Sequence, residues 1–234
     1  MSRFQTTRWS LVLDAAGTSP HARTALASLC DAYRRPVLAY VRRHVDTTDA
    51  AEDLTQAFFL QFIERAWHEA ADPARGRFRS YLLTAVRRFL IDQHVQSRRI
   101  KRGVGVAFEP IDALSDGAPA DTEDPESVFN RDWALTVVDA ALTRLREEAA
   151  AAGKLALFEQ LCEFLIERPA DTDYARAAAE LNLRRNTLAV AVHRLRHRLR
   201  ELVRAEIGET TSGSEALGQE LRELRLALGS AAPT

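Results

Sequence analysis

Apolar residues recur at spacings of three and four along most of the chain, which is the pattern of α-helices with one buried face. The first stripe predicts a helix from about His21 to His44. Its apolar positions are Leu26, Leu29, Cys30, Tyr33, Val37, Leu38 and Val41. No stretch shows the sustained alternation of apolar and polar residues that marks a half-buried strand. The pattern therefore predicts an all-α fold.

Two further helices are predicted in the first half of the chain. One begins at Asp49, where Glu52 three residues later resembles a capping box, and it continues through the apolar positions Leu54, Phe58, Phe62 and Ile63. The other runs from about Arg79 to Arg99, after a break at residues 72–76. Apolar side chains of this last helix would face inward and its basic side chains outward.

Glycine, proline and acidic residues dominate residues 103–127, a composition that cannot bury a core and is typical of a flexible linker. We therefore predict two helical domains joined by this linker. The predicted divisions are a first domain at 1–102, an acidic linker at 103–127, a second domain at 128–207 and a C-terminal extension with a short helix at 208–234.

Charge is unevenly distributed, although the net charge of the chain is only −1. The segment from Arg75 to Arg102 contains nine basic residues and one acid, and the segment from Arg184 to Arg204 contains seven arginines and one acid. Two basic blocks of this kind suit nucleic acid. The aromatics Phe78, Tyr81 and Phe89 interleave with the first block, where they would either stack on bases or, more commonly, belong to the core.

Residues 172–196 have the pattern of a helix-turn-helix. Thr172 is suited to cap its first helix, alanines permit close packing, and Asn182 suits the left-handed residue that ends this helix. The side chains left for a DNA major groove are Arg184, Arg185, Asn186, Thr187, Val190, His193, Arg194 and Arg196. The alternative is an ordinary helical hairpin with a solvated basic face.

Several motifs, in this order, resemble those of the extracytoplasmic-function sigma factors. They are residues 49–59, residues 78–82 running on to 90–92, and the helix-turn-helix. The resemblance covers about residues 20–102 and 130–207, and residues 190–196 with the extension after them are similar to a subgroup with C-terminal additions. It implies a sigma region 2-like helical bundle and a region 4-like helix-turn-helix domain.

The resemblance also implies partners and roles. The partners are core RNA polymerase and promoter DNA. Polymerase would be bound by Glu52, Asp53, Leu54 and Gln56. The −10 element would be read by Arg79, Arg87, Arg88, His94, Arg98 and Arg99, and the −35 element by the helix of residues 185–200.

The chain departs from the family pattern after the docking glutamine, where Ala57 and Phe58 replace a frequent acid. Phosphate on Thr55 would add about −1.5 to −2 charges and could replace the missing carboxylate. Thr55 is therefore a candidate phosphorylation site, with a half-buried structural residue as the alternative. A serine/threonine kinase or an anti-sigma factor is the corresponding candidate regulator.

Other classes of function lack a sequence signal. There is no phosphate-binding loop, no nucleophile motif and no metal-ligand spacing, so we expect no catalytic activity, no cofactor and no metal. Without a signal peptide or an apolar run of about 20 residues, no membrane insertion and a cytoplasmic location are expected. The competing interpretation is a conventional helix-turn-helix regulator that binds duplex DNA without polymerase.

Overall fold

The computed structural model describes residues 20–67, 77–102, 124–166, 171–208, 211 and 214–229. Helices are the regular secondary structure of these residues, so the prediction of an all-α fold is confirmed. They are α1 (Pro20–Arg42), α2 (Thr48–Glu64), α3 (Phe78–Arg102), α4 (Pro125–Ala151), α5 (Leu155–Leu161), α6 (Glu163–Ile166), α7 (Asp171–Glu180), α8 (Arg185–Gly208) and α9 (Ser214–Gly229). Within the described ranges, none of these helices could cross a membrane.

The chain divides into two compact units. Unit 1 consists of Met1–Thr136 and Glu209–Thr234, and unit 2 consists of Val137–Gly208. The division lies inside α4, whereas the sequence predicted it within the linker at 103–127. The C-terminal helix α9 belongs to unit 1.

The start of α4 explains why the linker was predicted too long. Asp124 caps the helix, because its Oδ2 accepts a hydrogen bond of 3.0 Å from the backbone N–H of Ser127. Pro125 then occupies the first helical position, where its missing N–H costs nothing. A proline that indicated a linker is therefore part of a helix start, and residues 103–123 lie outside the described residues.

The second helix begins earlier than the sequence predicted. Thr47 is extended and its Oγ1 accepts a hydrogen bond of 3.2 Å from the N–H of Ala50. The predicted capping box at Asp49 and Glu52 is wrong, because Thr47 is the N-cap residue.

Aromatic side chains from three helices form the core of unit 1. Phe58 on α2 lies 5.6 Å from Phe89 on α3, measured between ring centroids, and Tyr33 on α1 lies 5.3 Å from Phe78. Phe78 and Phe89 are each only 1% exposed, so they belong to the core and not to a surface that stacks bases. Ile63, one of the apolar positions of the predicted second helix, is 42% exposed.

In unit 2, α7 and α8 span the residues that were predicted to form a helix-turn-helix. Asn182 has a φ of +50°, as the sequence predicted for the residue that ends the first helix. The N–H of Leu183 donates to the Ala178 carbonyl at 2.9 Å, and the N–H of Asn182 donates to the Ala179 carbonyl at 3.2 Å. These two bonds form a Schellman motif that closes α7. At its other end α7 begins at Asp171, so Thr172 lies inside the helix and is not its cap.

Small and apolar residues hold α7 and α8 together. Ala177 and Ala178 on α7 are buried against Leu188 and Val192 on α8, with Phe164 completing this cluster from α6. The short alanine side chains permit a close approach of the two helices. The orientation of α8 is thereby fixed by its buried side.

Candidate nucleic-acid interface

The start of α8 presents a polar surface in unit 2. Seven of the eight predicted −35 residues are exposed here: Arg184, Arg185, Asn186, Thr187, Val190, His193 and Arg194. We call this set the recognition face. The buried positions Leu188 and Val192 lie on the other side of the helix, so packing leaves the recognition face turned to solvent.

Part of the recognition face borders a groove of about 660 Å³ within unit 2. Asn186, Val190 and Arg194 line it at intervals of four residues, which places them along one stripe of α8. Apolar side chains of α4 and α5 also line the groove, among them Leu145, Ala149, Leu157 and Phe158. The predicted base-reading side chains are therefore reachable from outside the unit.

Arg196 does not belong to this surface. Its Nε and Nη2 donate hydrogen bonds of 2.9 and 2.6 Å to the carbonyl of Phe164. Phe164 lies in the last turn of α6, whose carbonyls have no partner within that helix. Arg196 therefore satisfies a helix end, and its prediction as a DNA contact is corrected to a structural role.

Arg198, a second arginine of this basic block, also forms hydrogen bonds within unit 2. Arg198 donates to both carboxylate oxygens of Glu148 at 2.7 and 2.8 Å, and to Glu201 at 2.8 Å. The hydrogen bonds from Arg198 lower the pKa of Glu148 and that of Glu201. The sequence showed seven arginines in this block but not that Arg196 and Arg198 are committed to contacts within the unit.

Two of the predicted −10 contacts are described on the exposed side of α3. Arg87 and Arg88 are exposed and His94 is half-buried. Arg87 lies 3.7 Å from Glu126, an acid of the predicted linker that belongs to α4. The side chains of Arg98 and Arg99 lie outside the described residues.

Arg79 lies in the interior of unit 1, only 5% exposed. Its guanidinium donates to Asn130 of α4 and to Glu223 of α9, and it lies 3.3 Å from a carboxylate oxygen of Glu220. The same group is 4.3 Å from the centroid of the Trp133 ring, a cation–π contact. The prediction of Arg79 as an exposed DNA contact is therefore corrected, because α4 and α9 surround it.

Arg77 joins the same group of charges. It forms ion pairs with Glu223 and, at 3.3 Å, with Glu220. Burial opposes the charge of Glu220 and raises its pKa, although Arg79 and Arg77 act in the opposite direction. Burial also acts on Glu223, but hydrogen bonds and charges from the two arginines outweigh it and lower the pKa of this carboxyl. We call Arg77, Arg79, Asn130, Trp133, Glu220 and Glu223 the Arg79 cluster.

The predicted polymerase-binding residues of α2 fall into two groups. Asp53 and Gln56 are exposed, whereas Leu54 is half-buried. Glu52 is turned toward α1, with one carboxylate oxygen 2.7 Å from Arg34 and the other 3.7 Å from Arg42.

An exposed apolar pair lies next to the residues of α2 that the sequence predicted to bind polymerase. Leu60 is 57% exposed and Ile63 is 42% exposed. At helical spacing they continue the stripe of Asp53 and Gln56. We call Asp53, Gln56, Leu60 and Ile63 the α2 stripe. The sequence did not indicate that Leu60 and Ile63 are exposed, because apolar residues occur on both sides of α2.

Thr55 lies on the opposite, buried side of α2. It is 1% exposed, in a helix whose other buried residues are Ala51, Phe58 and Phe62. A kinase must reach the hydroxyl of its substrate, and this hydroxyl is enclosed. The prediction of Thr55 as a phosphorylation site is therefore corrected. Thr55 belongs to the core of unit 1.

Groups of three or more residues suited to hold a metal ion are absent from the described residues.

Comparisons with known proteins give one finding. Searches of curated proteins and of solved structures give no significant match. Residues 29–100 match the family model of sigma-70 region 2. The matched segment contains α2 whole, nearly all of α3 and the part of α1 from Leu29 onward, and so includes the α2 stripe and the exposed arginines of α3. This match shows that residues 29–100 are similar to sigma-70 region 2.

Proposed function

We propose that this protein is a sigma factor of the extracytoplasmic-function type, which binds core RNA polymerase and directs promoter-specific initiation. The observation that carries the proposal is the sigma-70 region 2 match over residues 29–100. In the structure this segment presents the mixed polar and apolar α2 stripe. Exposed apolar side chains rimmed by polar ones are typical of a surface that binds another protein.

The proposal assigns one task to each exposed surface. The α2 stripe docks on core polymerase. Arg87, Arg88 and His94 on α3, with Arg98 and Arg99 at its end, contact the −10 element. The recognition face of unit 2 contacts the −35 element, where base edges give specificity and phosphate contacts give affinity.

Transcription in vitro tests the whole proposal. Purified chain added to core polymerase should give a discrete run-off transcript from its promoter and should be retained on immobilised core enzyme. A conventional helix-turn-helix regulator would instead bind a palindromic duplex by itself and would not be retained on core enzyme. That second pattern would refute the sigma-factor assignment.

Replacing Leu60 with serine should weaken binding to core polymerase by about tenfold, since exposed apolar side chains at the centre of an interface contribute most of the affinity. Binding is measured by titrating labelled protein with core enzyme. Leu135→Ser is the matched control, because Leu135 is also an exposed leucine of unit 1, 39% accessible, but lies on α4. Equal losses in both variants would remove the α2 stripe from the interface.

Substitutions in the recognition face should separate base reading from phosphate binding. Alanine at Asn186 or Thr187 should change which −35 base is preferred, with about 1–3 kcal/mol of discrimination lost at each contact. Arg194→Ala should weaken binding to all −35 sequences alike and reduce its salt dependence. Binding of holoenzyme to a panel of −35 variants measures both effects. An unchanged base preference in all these variants would refute the assignment.

A further inference from the structure

The groove of about 660 Å³ in unit 2 is lined by residues of α4, α5 and α8. We call it the unit 2 groove. Leu145 of α4 and Phe158 of α5 line it and also belong to a hydrophobic core that these helices share with α8. At the groove α4 and α8 also contribute Ala149 and Ala191. Because protein interiors are closely packed, these short side chains leave open a space that larger residues would fill.

The lining of the unit 2 groove is mostly apolar. Leu157 and Leu195, both partly buried, add to the apolar side chains named above. The volume lies within the range of pockets that hold small organic ligands, about 300–1,000 Å³. A DNA phosphate has no apolar group that could fill such a space. The lining therefore suits a small molecule with an apolar body.

The charged residues of the unit 2 groove favour an anion. Three cations and one acid line it, namely Arg198, Lys154, Arg194 and Glu148. Glu148 is already paired, because both of its carboxylate oxygens accept hydrogen bonds from Arg198, at 2.7 and 2.8 Å. Lys154 and Arg194 are exposed and form no ion pair with another residue that the structure describes. Two positive charges of the groove are therefore left for an anion from solvent.

We propose that the unit 2 groove binds a small carboxylate with an apolar body, of the fatty-acid class. The apolar body packs against Ala149, Leu157 and Phe158. The carboxylate is held at the rim by the charges of Lys154 and Arg194, since hydrogen bonds between ionised groups are stronger than those between neutral groups.

This ligand and duplex DNA exclude each other. Asn186, Val190 and Arg194 line the unit 2 groove and also belong to the recognition face. A molecule in the groove therefore covers part of the surface assigned to the −35 element. This exclusion rests on the proposed function, whereas binding of the ligand does not. Within that function the carboxylate acts as an inhibitor of −35 binding.

Isothermal titration calorimetry of the full-length chain with sodium decanoate, kept below its micelle-forming concentration, tests the binding. Decanamide is the matched neutral ligand, since it has the same apolar chain and no charge. Decanoate should bind at one saturable site, at least about fivefold more tightly than decanamide. Absence of saturable binding, or equal affinities for the two ligands, would overturn the proposal.

Ala149→Trp should lower the affinity for decanoate at least about tenfold, because the indole ring fills the unit 2 groove. Ala150→Trp is the matched control, since Ala150 is the exposed neighbour on α4 and does not line the groove. It should stay within about twofold of the wild type. Circular dichroism checks that both variants are folded, and equal losses in two folded variants would overturn the proposal.

Lys154→Met tests the charge at an exposed position, where folding is not at risk. It should lower the affinity for decanoate at least about threefold and leave that for decanamide unchanged. Arg204→Met removes a charge from an exposed position of α8 outside the groove and should stay within about twofold of the wild type. Unchanged decanoate binding by Lys154→Met, or an equal loss in Arg204→Met, contradicts the proposed site.

Competition separates the ligand site from the proposed function. With decanoate at ten times its dissociation constant, the affinity of holoenzyme for a duplex that contains only the −35 element should fall about tenfold. Decanamide at the same concentration should lower it by at most about threefold, and an unchanged affinity in decanoate would refute the exclusion. Decanoate binding by a chain that supports no run-off transcription would refute only the sigma-factor assignment. Transcription by a chain that binds no decanoate would refute only the ligand site.

Discussion

Replacing Arg79 with alanine is expected to lower the free energy of unfolding of unit 1 by about 3–5 kcal/mol, because it leaves a buried carboxylate without its main cation. Glu220 is 2% exposed and cannot turn to solvent unless α9 moves. The substitution also removes the hydrogen bond to Asn130 and the cation–π contact with Trp133. All three losses act on the packing of α3, α4 and α9.

Urea denaturation followed by tryptophan fluorescence measures this effect in unit 1 alone. Trp67 and Trp133 belong to unit 1, and the sequence of Val137–Gly208 contains no tryptophan. Arg87→Ala is the control, because the Arg87 side chain is 66% exposed and its loss should change stability by less than about 0.5 kcal/mol. Similar unfolding midpoints for the two variants would mean that the Arg79 cluster contributes no stability.

Thr55→Glu should destabilise unit 1 by at least about 3 kcal/mol, since a carboxylate would be enclosed on the buried side of α2 with Ala51, Phe58 and Phe62. This result is the opposite of what a phosphorylation switch requires, in which glutamate mimics the active form. Gln56→Glu adds the same charge on the exposed side of α2 and should leave stability nearly unchanged. Fluorescence-detected urea denaturation compares the two variants.

Thr55→Val completes the comparison. Among the described residues, the Thr55 hydroxyl is buried without a hydrogen-bond partner. Valine has nearly the same shape and no polar group to desolvate, so it should leave stability unchanged or raise it by up to about 1 kcal/mol. Marked destabilisation by valine, or equal midpoints for Thr55→Glu and Gln56→Glu, would show that Thr55 is not buried as described.

Helical periodicity made much of the architecture predictable. The first helix was predicted from about His21 to His44 and runs over Pro20–Arg42. Asn182 was predicted in the left-handed conformation and has a φ of +50°. Both features depend on neighbours within a few residues, and such local preferences can be read directly from sequence.

The structure was less predictable near helix ends, where a residue type can fit two local structures. Pro125 and Asp124 have the composition of the preceding linker, yet they start α4. Ile63 matches the apolar spacing of α2, yet it is 42% exposed. In each case the residue type fits two local structures, and the packing of the rest of the helix selects one of them.

The sequence by itself determined the all-α fold, the turn at Asn182 between two helices and the presence of two basic blocks, because these follow from short-range spacing and composition. Only the tertiary structure decided which arginines remain on the surface. Arg79 meets Glu223 from 144 residues away, and Arg196 meets the Phe164 carbonyl from 32 residues away. An arginine on a polar helix side looks the same in sequence whether it faces solvent or a distant acid. Its role is set by the helix that packs against it, and local periodicity carries no information about that partner.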